Sequence, residues 1–127
     1  MAIDKQMCIL VVDDSSSMRG IIKDILKNIG FRNVAEAEDG ASAWELLLKE
    51  RVDFIVSDWN MPKMTGIELL RKVRASDEFR ETPFLMVSAE SEQDNILEAI
   101  EAKVTNYIVK PFTPETMQQK IHKIFEE

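Results

Sequence analysis

Five short runs that are apolar almost throughout, MCILVV (7–12), the weaker FRNVAEA (31–37), DFIVS (53–57), PFLMVS (83–88) and NYIVK (106–110), alternate with longer segments of helical period. A strand that is apolar at successive positions has no polar face to turn to water, so both of its sides must be covered. The helical segments can supply that cover. In the first, Met18, Ile21, Ile22, Ile25 and Leu26 fall on one face, and in the last Met117, Ile121, Ile124 and Phe125 do. Strands separated by helices cross over right-handedly and pair in parallel, which puts helices on both faces of the sheet. The expectation is an α/β fold with a five-stranded parallel sheet and five helices, filling residues 1–127 as a single domain.

The punctuation agrees. Gly30 can close the first helix in a left-handed conformation, and Thr65 with Glu68 reads as a capping box for the third. Ser91 with Asp94 opens the fourth, and Thr113 followed by Pro114 opens the fifth. Each start follows a strand by a few residues, so the strand-to-helix loops share one edge of the sheet. Open α/β sheets bind ligands at that edge.

Four strands deliver reactive side chains there: Asp13 and Asp14 after the first, Asp58 after the third, Ser88 after the fourth and Lys110 after the fifth. Singly, each has an ordinary explanation as a polar loop residue or helix cap. Their convergence does not. Three carboxylates brought together repel one another, so at least one pKa rises unless a cation sits among them. All-oxygen ligation without His or Cys partners favours a hard ion, and a few carboxylates plus water suit Mg²⁺ better than a dedicated Ca²⁺ cage. A metal, an ammonium and a hydroxyl are also what stabilise a phosphoryl group in transfer, leaving Asp58 as the nucleophile that becomes an aspartyl phosphate.

Several other chemistries are disfavoured. The four glycines, Gly20, Gly30, Gly40 and Gly66, form no nucleotide-binding motif, so the phosphoryl donor has to arrive on another molecule. His122 sits in the last amphipathic helix, away from the loop edge. Cys8, the single cysteine, reads as a small buried hydrophobe. Sixteen basic against 23 acidic residues give a net charge of −7 with no basic cluster, which argues against nucleic acid as a partner. The apolar run at 7–12 is too short for a signal peptide core or a membrane span, so a cytoplasmic protein without membrane insertion is expected.

The segments VVDDSSSM, SDWNMPKMTG, MVSAE and VKPF resemble the receiver domain of bacterial two-component response regulators, over essentially the whole chain. DWNMP, Ser88-Ala89-Glu90 and NYIVKPF are similar to its chemotaxis branch in particular. The resemblance implies a doubly wound, flavodoxin-like sheet of order 2-1-3-4-5. It implies that Asp58 is the phosphoacceptor, that Asp14 ligates Mg²⁺ directly and Asp13 mainly through water, and that Asp58 and the Asn60 backbone carbonyl complete the protein ligands. Lys110 and Ser88 would hold phosphoryl oxygens, and the peptide before Pro111 would be cis. Asn60 and Glu90 would tune the acyl-phosphate lifetime, Tyr107 would be the aromatic switch, and Trp59 would sit exposed beside Asp58 as a reporter. The chain departs from the family pattern at Lys103, Val104 and Asn106, in the turn before the last strand, which leaves the chemistry intact but alters the output face.

The function so implied is that of a phosphoacceptor switch, catalysing only its own phosphoryl transfer and autodephosphorylation. Its partners would be a chemotaxis histidine kinase, the flagellar motor switch and a phosphatase. The chain stops at Glu127 without an output domain, so a monomer acting by protein contact is expected. A receiver of another phosphorelay would share every one of these features. A flavodoxin-type FMN carrier would share the architecture, with Ser15-Ser16-Ser17 as its phosphate loop, but Asp13 and Asp14 would repel a flavin phosphate. An aspartate-dependent phosphatase would tend to carry D-x-D where this chain has D-W-N.

Overall fold

A computed structural model describes residues 4–89 and 93–126. The elements follow in strict alternation: β1 (Cys8–Val12), α1 (Ser16–Ile29), β2 (Asn33–Ala37), α2 (Gly40–Lys49), β3 (Phe54–Asp58), α3 (Gly66–Ala75), β4 (Phe84–Ser88), α4 (Gln93–Glu101), β5 (Asn106–Val109) and α5 (Pro114–Phe125). All the strands pair in parallel, in the order β2-β1-β3-β4-β5. This is the doubly wound, flavodoxin-like sheet expected from the sequence.

The central strands are buried on both faces because each face has its own hydrophobic cluster. Leu10, Val12, Ile55 and Met86 turn to one side, where they meet Leu47, Leu69, Leu70 and Val73 of α2 and α3. Ile9, Val11, Phe54, Val56, Leu85 and Val87 turn to the other, against Ile22, Ile25 and Leu26 of α1 and Met117 and Ile121 of α5. The period-two alternation of a strand thus sends neighbouring apolar residues into different clusters.

The caps form where the sequence places them. Gly30 takes φ 119°, and its N–H donates to the carbonyls of Leu26 and Lys27. Thr65 and Glu68 make a reciprocal capping box on α3, and Thr113 caps α5 with Pro114 in its first turn. Ser91, the expected cap of α4, lies outside the described residues. The far end of α4 closes on Lys103, which takes the left-handed φ of 65°. Its N–H donates to Ile100 O and that of Val104 to Ala99 O, the paired bonds that end a helix in this conformation.

Three expectations are corrected. Trp59 is not exposed: it retains 8% of its accessible surface and belongs to the cluster under α2 and α3. The strand pattern runs on past Asp58, since the Trp59 N–H still donates to Val87 O, and alternation places its ring on the same face as Ile55. Ile21 is 49% exposed, because it lies on the flank of α1 beside Pro111 and Phe112 and not over the sheet. Cys8 is only partly buried, as the first residue of β1 at the rim of the sheet.

Candidate functional site

Register brings the reactive residues level with one another. Val12 pairs with Ser57, so Asp13 emerges beside Asp58; Asp58 pairs with Val87, and Ser88 with Val109, so Ser88 and Lys110 leave their strands at the same edge. Asp13, Asp58 and Ser88 are buried, whereas Asp14 is exposed. Asp13, Asp14 and Asp58 each offer a carboxylate oxygen, and these oxygens lie within 4.8 Å of one another. Lys110 bridges the buried pair, with Nζ 3.4 Å from Asp13 Oδ2 and 3.3 Å from Asp58 Oδ1.

The backbone holds this arrangement. Asp13 receives the Ser15 N–H on Oδ1 at 2.9 Å, while its own N–H donates to Ala37 O at 3.1 Å. The Lys110 N–H donates to Ser88 O at 2.6 Å, and the Lys110–Pro111 peptide is cis. Beyond Asp58, the Gly66 N–H donates to Trp59 O at 2.8 Å, drawing the start of α3 against the end of β3. Only glycine fits there, since a Cβ on Gly66 would stand 2.1 Å from Asp58 O.

Electrostatics at the site are unresolved by the protein alone. Burial raises the Asp58 carboxyl above the ordinary carboxylate range and repulsion from Asp13 adds to this, while Lys110 and the Trp59 N–H pull it back only in part. One ammonium faces three carboxylates. A divalent cation among the acids would remove the repulsion, and the donors are all oxygen, so the residues present fit a hard divalent metal.

The remaining predicted residues take distinct places. Asn60 is exposed, two residues beyond Asp58. Tyr107 is half-buried on β5, in register with Met86 and packed against the cluster under α2 and α3. Pro111 lines the groove that also holds Met18, Ile21 and Phe112. Glu90 lies outside the described residues. Sequence reasoning missed Arg19, whose Nη1 donates to Asp13 O at 2.6 Å and whose Nε donates to Glu36 Oε1 at 2.9 Å. The signal available was Arg19 and Lys23, one helical turn apart and able to share a carboxylate on β2.

An open parallel sheet with acids, hydroxyl and ammonium at its C-terminal edge is the architecture of a receiver. The response regulator receiver domain matches residues 9–122, and the chain belongs to that family. Chemotaxis protein CheY of Pseudomonas aeruginosa is 54% identical over 120 residues, 94% of this chain and 97% of the relative. Among solved structures, chemotaxis response regulator CheY4 of Vibrio cholerae superposes with a TM-score of 0.87 at 36% identity, covering 94% of this chain and 99% of that one. The receiver domain of the Pseudomonas aeruginosa sensor histidine kinase PA1611, solved with magnesium in its active-site cleft, gives 0.84 at 26% identity, covering 95% and 99%. The chain is therefore a chemotaxis-type response regulator, a signalling protein and not a classical enzyme, and the flavin-carrier alternative is not favoured.

Proposed function

We propose that Asp58 accepts a phosphoryl group from the phosphohistidine of a chemotaxis histidine kinase, with Mg²⁺ as the cofactor, and that the aspartyl phosphate switches contact with the flagellar motor switch. The observation that carries this is the convergence of Asp58 with Asp13, Asp14 and the Lys110 ammonium. A carboxylate oxygen of Asp58 attacks phosphorus, the bond from phosphorus to the donor imidazole breaks, and the electron pair leaves with the ring nitrogen. Lys110 and Ser88 hold the phosphoryl oxygens as charge spreads over them. Asp13, Asp14, Asp58 and the Asn60 carbonyl would hold Mg²⁺, which would supply neutralising charge to those oxygens.

Asn60 and Glu90 set how water reaches the acyl phosphate, alone or with a phosphatase. Tyr107 turns when Ser88 moves toward the phosphoryl group, and the surface around β5 changes with it. Residues 1–127 act as one monomeric domain in the cytoplasm. No helix among the described residues is long and apolar enough to cross a membrane. Trp59, being buried, would report on the site through its packing beside Asp58 and not as a surface probe.

Intact-mass spectrometry after incubation with acetyl phosphate and Mg²⁺ tests the assignment. The wild type is expected to gain one phosphoryl mass and Asp58→Asn none. Equal labelling of both proteins would move the acceptor elsewhere.

A further inference from the structure

Asp13 is held at its N–H, its carboxylate and its carbonyl, and the last of these contacts comes from a side chain. Arg19 of α1, a charged residue with only 16% of its side chain exposed, donates from Nη1 to the Asp13 carbonyl at 2.6 Å. Its Nε is fixed in turn by Glu36 Oε1 on β2 at 2.9 Å, and Lys23 Nζ holds the other oxygen of the same carboxylate at 2.9 Å. The carbonyl in question belongs to the peptide that joins Asp13 to Asp14, so its orientation fixes where Asp14 begins. Among the described residues the exposed Asp14 carboxylate has no hydrogen-bond partner, and its direction rests on its backbone alone.

We propose that Arg19 is a positioning residue for the acidic pair, bracing the 13–14 peptide against β2 so that the site discriminates Mg²⁺ from Ca²⁺. This rests on the reading of Asp13, Asp14 and Asp58 as metal ligands. Mg²⁺ demands near-octahedral ligands at about 2.0–2.1 Å, while Ca²⁺ accepts six to eight oxygens at about 2.3–2.6 Å in flexible geometry. A braced loop therefore serves the smaller ion, and a slack one serves both alike. Charge acts differently: removing the guanidinium would favour any divalent cation, whatever its radius. The ratio of the two affinities separates bracing from charge, and a loss of general stability does not move it.

The test is calorimetric titration of the full chain with Mg²⁺ and with Ca²⁺. In Arg19→Met the preference for Mg²⁺ is expected to fall roughly tenfold, the scale on which outer-shell partners of a metal site act. Arg19→Lys keeps the charge but replaces a two-armed fork with one ammonium, and its ratio should fall between the two. Glu36→Gln keeps an acceptor for Arg19 Nε while removing a negative charge, so both affinities should drop together with the ratio intact. If Arg19→Met and Arg19→Lys, folded as judged by circular dichroism, both keep the wild-type ratio, Arg19 is only a structural tie. Should the wild type bind neither ion, or bind Mg²⁺ as well after Asp14→Ala, the metal assignment itself fails, and the bracing role with it.

Discussion

The two edges of the sheet handle charge in opposite ways. At the edge where the strands begin, Arg74 donates to Lys103 O at 2.9 Å, Arg80 O at 3.0 Å, Thr82 O at 2.7 Å and Thr105 Oγ1 at 3.2 Å, tying α3 to the turns before β4 and β5. The Asp53 carboxylate receives the Cys8 N–H at 2.8 Å and the Arg51 Nε at 3.1 Å. Arg74 and Asp53 there each meet hydrogen-bonding groups placed for them. At the edge where the strands end, carboxylates are pressed together and one of them, Asp58, is driven toward protonation. A protein optimised only to stay folded would have no reason to build the second edge. The contrast marks where stability has been given up for binding and transfer.

The comparison can be broken most severely at Gly66. Gly66→Ala drives a Cβ against Asp58 O and forces the end of β3 to shift, with an expected loss of about 3 kcal/mol in urea denaturation. Arg74→Met should come next, costing roughly 2 kcal/mol by stranding the carbonyls it serves. Its Mg²⁺ affinity should nevertheless match the wild type, because the two edges are separate. A shift in metal affinity would mean that they communicate.

Asp58→Asn is expected to act with the opposite sign. Removing the repelled carboxylate should stabilise the metal-free protein by on the order of 1 kcal/mol, read as a rise in Tm of about 2–5 °C. The pH dependence has the same origin. The folded carboxyl titrates above the ordinary value, so it destabilises the fold at neutral pH, and this cost is relieved as pH falls through the raised pKa toward the ordinary range. Without metal, the stability advantage of Asp58→Asn should therefore shrink on acidification, and thermal melts between neutral and mildly acidic pH check it. An advantage that grew instead would reverse the assigned shift. The smallest effect belongs to the satisfied edge: Lys103→Gly relieves a left-handed φ of 65° and should add about 0.5–1 kcal/mol, measured as a higher urea midpoint.

The strands and caps were legible because they depend on near neighbours: apolar runs demand cover on both faces, and Thr65 with Glu68 closes a box within one turn. Asp13, Asp14, Asp58, Ser88 and Lys110 were legible because parallel topology sends every strand end to one edge. What escaped depended on direction and partners. Trp59 follows an acid that looks like the end of a strand, yet the ladder continues through it and turns the ring inward. Ile21 satisfies the helical period but faces a loop, which only the packing of α1 beside Pro111 and Phe112 decides. Arg19 and Glu36 meet only because β2 lies beside β1, a neighbour relation that local pattern does not encode. The turn holding Lys103 was legible, but the left-handed φ of 65° at that residue was not, since lysine has no preference for the conformation it adopts there.

The contact between Lys110 and Asp13 spans 97 residues of chain. Closing a loop of that length costs entropy before any contact repays it, so this ion pair, which joins the ends of β1 and β5 across the two strands between them, is a long-range contact of the kind that slows folding. The ammonium that partly balances the acids thus arrives with the last strand of this sheet. A growing chain that has made β1 and β3 but not β5 holds its carboxylates without their counter-charge. On the role proposed for Asp58, the acceptor site is therefore complete only once β5 has joined β4 at the edge of the sheet.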